Sequence, residues 1–508
     1  MRNYKSIFLF VVLFLIPVYP QQTAKDILNK SFKAIGGKSK LENLKSIETE
    51  KIGYRHWLEQ SERPEGPWVM NFEEIHEIRD IKNNRLWKKR ELKSGQMPEW
   101  SGRVYVISDS TLMIKIRGRN FPGSYSQFED EEDAFNLSPE RILLTAEQAS
   151  DLKYRGEKIF NGIPHLILSF SYRDTRVKLF ISSFTHLISA VETVKAYPDD
   201  FFQSVWGDAN FTTKYADYNL EEGGIRYPHL WSIDWNGYPY SEYSITKLKM
   251  NSTVPADSFK ISDEIKEQFE QRKTAPKFTP QTYQLGQGFN RKIGERSIIG
   301  KNVIIIPGIY TVTLIPQEDG ILIIEAPISS HYTKLVIEEV EKQFPQKKIK
   351  AVISTGDAWT YMGGMREYVA QNIPVYALNL NEPIIKRLLD APHTIIPDDL
   401  SKKGIKEKIN SINDKYKIGE GKNRVEIYPV KGSGGERMML VYFPEYKILY
   451  SSDLIQPRQN GSFFAPEYLL EVSDCVKRNK LKVDKIYGMH IGLKDWKDVE
   501  KAINDAMK

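Results

Sequence analysis

The spacing of hydrophobic and polar positions changes near residue 46. Before it, residues 23–45 place apolar side chains on one helical face and contain a Gly-Gly break, which predicts a helix followed by a shorter one. From about 46 to 250, short runs rich in β-branched and aromatic residues alternate with polar positions and end at turn signals. This pattern predicts a large antiparallel sheet with meander-like pairing. The predicted helical face consists of Ile27, Leu28, Phe32 and Ile35.

Several strands of this sheet stand out. They are predicted at 103–108, 111–116, 165–172, 177–182 and 187–194. The aromatic stretch 229–243 predicts a hairpin around Asn236-Gly237 with cross-strand aromatic pairs. A stacking surface for sugar or lipid is the alternative.

After the sheet pattern, residues 256–290 predict a linker, with a short charged helix followed by Pro, Thr, Gln and Gly without periodicity. From 291 to 508, apolar strands alternate with amphipathic helices, the pattern of a layered α/β domain. We therefore predict an α+β antiparallel sheet domain over 22–255, with N-terminal helices, and a second domain over 291–508.

Composition supports a globular protein. The 508 residues are 41% hydrophobic and 27% charged, enough for two or three domains with their own cores. The net charge of +6 is small for this length, and no Lys/Arg run is interleaved with aromatics. Nucleic acid is therefore not an expected partner.

The N-terminus has the order of a secretory signal peptide, predicted over residues 1–21. Positive charges in Met1–Lys5 precede an apolar stretch over Ile7–Tyr19, which is shorter than the ~20 residues needed to span a bilayer. An uncleaved anchor or a buried helix is the alternative. We expect a periplasmic or secreted protein, with no transmembrane span in the mature chain.

The single cysteine, Cys475, excludes an internal disulfide in a secreted chain. Val472, Cys475 and Val476 have the spacing of a buried helical face. A core position is therefore expected for Cys475, and not a reactive nucleophile.

Four segments of the C-terminal part follow one another in an informative order. They are "GILIIEAP" (320–327), "KAVISTGDAWTYMGGM" (350–365), "LVYFPEYKILYSSDL" (440–454) and "VDKIYGMHIG" (483–492). This order resembles the metallo-β-lactamase fold family, and the second segment stands where that family has Thr-His-x-His-x-Asp-His-x-Gly-Gly. The resemblance implies an αββα sandwich of the kind used by metal-dependent hydrolases.

The same resemblance shows that most of the metal ligands are missing. One of four ligands remains in the first metal site and two of four in the second, and glycine and alanine have no side-chain donor atom. A catalytic zinc needs about three protein ligands. The lost positions fall on Gly356, Ala358, Thr360, Tyr361 and Gly434, and the retained ligands are Asp453 and His490.

These losses predict a catalytically degenerate relative with no catalytic residue that can be named and no cofactor. The alternative is a reduced mononuclear site, for zinc or another divalent metal, on Asp453, His490 and the phenolate of Tyr361. Asp357 and Glu436 would then supply further oxygens. Asp453 and His490 are equally compatible with a structural role.

Residues 23–255 resemble the module that accompanies hydrolase domains in secreted bacterial proteins, similar to the curved sheets of periplasmic lipoprotein carriers. We therefore expect a protein that binds an unknown small molecule or an envelope protein, on this sheet or in a cleft rimmed by Trp359 and Tyr361. An active hydrolase and a structural role in an envelope assembly remain open.

Overall fold

The computed structural model describes residues 22–58, 66–93, 102–288, 294–404, 409–432, 436–458, 463–464 and 466–506. The predicted signal peptide, position Gly434 and the side chain of Trp359 lie outside this description. Within the described residues, no helix combines the length and apolarity that a membrane span requires.

The N-terminal sheet has thirteen strands, all paired antiparallel. Its strands are β1 Ser46–His56, β2 Met70–Asp80, β3 Arg85–Leu92, β4 Arg103–Ser108, β5 Thr111–Ile116, β6 Arg119–Pro122, β7 Lys153–Phe160, β8 Ile163–Tyr172, β9 Thr175–Ser182, β10 Ile188–Ala196, β11 Asp208–Leu220, β12 Arg226–Trp235 and β13 Tyr238–Met250. The strand order runs from β6 back to β1, crosses to β13 and runs back to β7. The predicted meander is thus confirmed as two meanders joined along β1 and β13.

Turn chemistry fixes the hairpins of this sheet. Asn236 and Gly237 both adopt positive φ, 48° and 83°, between β12 and β13, as a type I′ turn requires. The aromatic stretch 229–243 forms this hairpin, and Trp231 pairs with Tyr243 across it.

Helices cover one face of the N-terminal sheet. The predicted apolar face of the first helix is confirmed, since Ile27, Leu28, Phe32 and Ile35 are all buried. Two helices in the middle of the strand pattern were not predicted from sequence, and they pack on this face too. The helices are α1 Ala24–Ile35, α2 Lys38–Glu42, α3 Tyr125–Asn136 and α4 Ile142–Gln148.

The C-terminal part contains two mixed sheets and a two-stranded ribbon, β25 Gln456–Pro457 with β26 Phe463–Phe464. Sheet B consists of β14 Ser297–Ile299, β15 Val303–Ile306, β16 Val312–Gln317, β17 Gly320–Ile324, β18 Ile349–Ser354, β19 Val375–Leu378 and β20 Ile409–Ile412. Sheet C consists of β21 Tyr416–Ile418, β22 Val425–Pro429, β23 Met439–Phe443, β24 Ile448–Tyr450, β27 Lys485–Tyr487 and β28 Lys494–Asp495.

Hydrophobic cores on both faces of each sheet give four layers. In β15, Val303 and Ile305 face a core shared with sheet C, while Ile304 and Ile306 face helices. Sheet C packs its other face on the last two helices, where Cys475 is buried as predicted. The helices are α6 Ser330–Gln343, α7 Trp359–Met362, α8 Met365–Ala370, α9 Glu382–Asp390, α10 Asp399–Lys403, α11 Pro466–Arg478 and α12 Trp496–Ala506.

The N-terminal sheet and the C-terminal layers share buried contacts. The Arg387 guanidinium lies 4.2 Å from the ring centre of Trp206, and Asp208 accepts hydrogen bonds from Thr394 and from the Ile395 N–H. The segment predicted as a linker contains helix α5, Asp263–Thr274, and the buried Tyr283. The predicted domain boundaries stay a prediction.

Candidate functional site

Parallel strand pairs bring the predicted ligand positions together. β18 pairs in parallel with β17, and β24 pairs in parallel with β27, so each pair ends at one edge of its sheet. The segments after these strands carry Tyr361, Asp453 and His490. The structure therefore gathers these three predicted residues at one place.

Asp453 is surrounded by protein groups. The Tyr361 hydroxyl donates to Asp453 Oδ2 at 2.6 Å, and His490 Nε2 lies 2.9 Å from Oδ1. Asp453 is only 8% exposed. Oδ2 thus accepts a hydrogen bond, whereas Oδ1 has the His490 ring within ion-pair distance but no hydrogen-bond partner among the described residues.

A second tyrosine, Tyr310, completes the cluster. Its ring meets the Tyr361 ring edge-on at 4.9 Å between centres and the His490 ring at 5.5 Å. Burial raises the pKa of Tyr310, whose hydroxyl is hydrogen-bonded to the Thr360 side chain. Sequence analysis missed this residue, because the segment between β15 and β16 carries no ligand motif. Tyr310, Tyr361, Asp453 and His490 are called the Asp453 cluster below.

The protonation of Tyr361 bears on the predicted phenolate site. Burial, and next the negative charge of Asp453, raise the pKa of Tyr361 well above its ordinary value of 10. The hydroxyl therefore keeps its proton at neutral pH and uses it in the hydrogen bond to Asp453. Tyr361 is also only 8% exposed, so it does not form the open rim expected from sequence.

The positions predicted to have lost metal ligands contribute to the packing of the loop. A Cβ atom added to Gly356 would lie 3.2 Å from Cδ2 of Tyr361, so the Tyr361 ring occupies the space beside this glycine. The carbonyl of Ala358 accepts from the Tyr361 N–H, and the carbonyl of Thr360 accepts from the Ile328 N–H. The small residues Gly356 and Ala358 thus leave room for the ring of Tyr361, which fills the space that larger side chains would occupy.

A buried carboxyl group lies behind the cluster. Glu325, at the end of β17, accepts hydrogen bonds from the hydroxyls of Thr355 and Tyr450, and the Ser452 hydroxyl lies 2.7 Å from that of Thr355. Burial raises the pKa of Glu325 to about 7. This acidic group is therefore uncharged over part of the physiological range.

The donor set around Asp453 does not fit a catalytic zinc. Among the described residues, the one group of three acidic or histidine side chains with ligand atoms within 4.8 Å of one another is Glu48, Glu50 and His76, on β1 and β2. In that group, His76 Nε2 already lies 3.0 Å from a Glu48 oxygen, and Glu50 pairs with Lys247. Asp453 and His490 alone fall short of the three protein ligands that such a site needs.

The structure also contains a cavity away from this cluster. It measures about 790 Å³ and lies on the helix-covered face of the N-terminal sheet, where aromatic and cationic side chains line it. We call it the sheet cavity. Its volume lies within the ~300–1,000 Å³ typical of small-molecule pockets.

No family model and no curated protein matches the chain. Solved structures of metallo-β-lactamase-fold proteins do match, over 42% of this chain. A metallo-β-lactamase from Pontibacter korlensis is 15% identical, with 99% of its own chain covered and a TM-score of 0.33. A metallo-β-lactamase from Erythrobacter litoralis is 15% identical, with 95% covered and a TM-score of 0.32. A sec-alkylsulfatase from a Pseudomonas species is 15% identical, with 41% covered and a TM-score of 0.32.

Proposed function

We propose that this protein binds a ligand and does not hydrolyse one. In this account it is exported by the predicted signal peptide, and its C-terminal layers keep the frame of a metal site without the site's chemistry. The Asp453 cluster is a structural element, and binding takes place on the N-terminal sheet. Residues 22–255 and 291–508 act as the two functional parts, joined by 256–290.

The close contacts of Asp453 with Tyr361 and His490 support this proposal. A hydrolytic metal centre needs ligands with free lone pairs and an open position for water. Here Tyr361 donates to one oxygen of Asp453, and His490 lies against the other. Gly356 and Ala358 add no donor atoms. The buried phenol of Tyr361 keeps its proton, so it offers Asp453 a neutral hydrogen-bond donor and no negatively charged ligand atom.

The sheet cavity supports binding as the remaining function. A pocket of this size lined by aromatic side chains is the kind of site that holds a small molecule. The shared core with the C-terminal layers fixes one side of the N-terminal sheet, since Trp235 and Ala209 belong to it. The C-terminal part then acts as a rigid support for the sheet.

Metal content tests the proposal. The full chain, purified without chelator, is analysed by elemental mass spectrometry before and after incubation with zinc, manganese or iron(II). We expect well below one metal per chain in the wild type, in Asp453→Asn and in His490→Gln. The control His76→Gln reports metal held by Glu48, Glu50 and His76. Stoichiometric metal that persists in His76→Gln and disappears in Asp453→Asn and His490→Gln would overturn the proposal.

A second candidate function is a metal-dependent hydrolase with a reduced site on Asp453, His490 and Tyr361. The convergence of these three side chains is the observation that favours it. Such a site requires Tyr361 to lose its proton. Metal-dependent turnover of ester or lactam substrates that Tyr361→Phe abolishes would support this candidate over the first.

A further inference from the structure

The sheet cavity is assembled from segments far apart in sequence. Strands β1, β4, β11, β12 and β13 contribute lining residues, and so do the first residues of α3. Residues 199–203 and the chain from Arg272 to Thr279 complete the lining. Because the strands and the helix belong to folded elements with buried cores, the cavity is preformed.

Aromatic rings form one wall of the cavity. Phe211 stacks on Trp235 at 5.5 Å between ring centres, and Tyr240 meets the same indole edge-on at 5.5 Å. Phe202 and Phe278 also line the cavity, and they are 38% and 69% exposed. Large apolar side chains that line a cavity and still face solvent leave apolar surface for a ligand to cover.

Cationic side chains line the same cavity. In the described part of the chain, Arg103 has no carboxylate partner, and Arg272 donates to the carbonyls of Pro122 and Gly123. Arg55 and Lys277, by contrast, are neutralised by Glu73 and Asp199. Among the described residues, neither Arg103 nor Arg272 forms an ion pair with a carboxylate, although Asp199 and Asp200 also line the cavity.

Two buried polar atoms of lining residues are available to hydrogen-bond a ligand. Nε1 of Trp235 and Oε1 of Gln203 have no hydrogen-bond partner among the described residues. A buried polar atom without a partner is costly, and a bound ligand or water commonly satisfies it. The lining thus offers an aromatic surface, uncompensated positive charge and unused hydrogen-bonding capacity.

We propose that the sheet cavity binds an anionic amphiphile with a single apolar chain and one carboxylate group. Arg103 and Arg272 hold the carboxylate, and the rings of Phe202, Phe211 and Phe278 contact the chain. A neutral sugar would use the aromatic rings but would leave both guanidinium charges unpaired. The inference rests on the proposed binding function and adds the ligand class to it.

Fluorescence titration of the full chain tests the inference. The probe is dansyl-labelled undecanoic acid, because its fluorophore accepts energy from the tryptophans of the cavity lining. Its uncharged methyl ester serves as the matched probe, and phosphatidylglycerol vesicles represent the carboxylate-free lipid headgroup. We expect saturable binding of the acid at one per chain, with the ester at least about tenfold weaker because charge-assisted hydrogen bonds are lost.

Variants locate the binding. Arg103→Gln combined with Arg272→Gln is expected to weaken the acid about tenfold or more and the ester little. Phe278→Ala, at an exposed position, is expected to weaken both probes to a similar degree. The control Arg226→Gln changes an exposed arginine at the start of β12, about 30 Å along the strand from Trp235, and should leave both probes unaffected.

Equal affinity for acid and ester, unchanged binding in the double arginine variant, or capture by vesicles without binding of the monomeric acid would each overturn the inference. None of these results touches the metal content of the Asp453 cluster. A metal-free protein that ignores the acid thus contradicts the ligand class alone. A metal-loaded Asp453 contradicts the proposed function.

Discussion

The Asp453 cluster and the sheet cavity differ in how their charged side chains are paired. At Asp453, a nearly buried carboxylate has Tyr361 on one oxygen and His490 on the other, and Tyr310 packs against both rings. In the sheet cavity, Arg103 and Arg272 line open space without a carboxylate partner in the described structure. The two Asp453 oxygens have protein groups at 2.6 and 2.9 Å, whereas we propose that a ligand pairs with the arginines of the cavity.

The loop beside Asp453 shows what accompanies the small residues at the predicted ligand positions. The space beside Gly356 is filled by Tyr361, and the same tyrosine neutralises part of the charge of Asp453. A buried charge without a partner would cost several kcal/mol, so a buried carboxylate such as Asp453 needs neighbouring groups of this kind. In the cavity, Glu73 and Asp199 pair with Arg55 and Lys277, but no carboxylate of the described residues pairs with Arg103.

The largest expected effect tests whether the N-terminal sheet and the C-terminal layers unfold as one cooperative unit. Trp206→Ala removes a buried side chain that Arg387 covers, and we expect a loss of about 3–5 kcal/mol in the free energy of unfolding. Urea unfolding, followed by circular dichroism and fluorescence, should show one shifted transition. The control Phe184→Ala, at a 75% exposed position, should stay within about 0.5 kcal/mol. Two transitions, of which one is unshifted, would show that the regions are independent.

The second effect concerns Glu325, behind the Asp453 cluster. Since burial raises its pKa from 4.5 to about 7, its contribution to stability is fully present below pH 4.5 and is lost as pH rises through 7. Glu325→Gln removes this titration. Its stability relative to wild type should therefore rise by about 3 kcal/mol between pH 4.5 and 8. The exposed control Glu338→Gln should show no such trend, and a flat difference for Glu325→Gln would contradict the buried neutral carboxyl.

The third effect tests the complementarity of Gly356 and Tyr361. Gly356→His introduces a side chain into the space of the Tyr361 ring, and we expect a loss of about 1–3 kcal/mol from overpacking. The same change in a Tyr361→Ala background should cost less, because the ring is gone. Thermal and urea unfolding of the four proteins provide the comparison. Equal costs in both backgrounds would mean that Tyr361 does not occupy this space.

The smallest expected effect concerns Arg103, in the sheet cavity. Arg103→Gln removes a charge that has no carboxylate partner among the described residues, so stability should change by less than about 0.5 kcal/mol. Urea unfolding measures this change. A loss above about 1 kcal/mol would show that Arg103 supports the fold. Its charge would then be paired within the protein, like that of Asp453.

Local patterns predicted much of this fold. The strands 103–108 and 111–116 appear with their predicted bounds, because alternation and turn residues fix them locally. Helix α3 was missed, since its acidic sequence has a weak apolar stripe. The sequence signal for this helix was the capping box of Ser124, at the N-cap, and Gln127, in the first turn. This capping box forms in the structure.

At the candidate site too, some features could be predicted from the sequence and others depend on tertiary packing. The absence of donor atoms at Gly356 and Ala358 can be read directly from the chain, and the family resemblance implied that Tyr361, Asp453 and His490 lie together. The role of Tyr310 depends on packing between segments that are far apart in sequence. The same holds for the sheet cavity, whose lining brings Arg103 and Arg272 into one cavity only after folding.

The most direct test of the closed Asp453 cluster is a double-mutant cycle of Tyr361→Phe and Asp453→Asn, measured by urea unfolding with and without zinc. The account predicts a favourable coupling of about 1.5–3 kcal/mol, as for a hydrogen bond to a charged group, and the same value with zinc present. A coupling near zero, together with stabilisation of the wild type by zinc that Asp453→Asn abolishes, would contradict it.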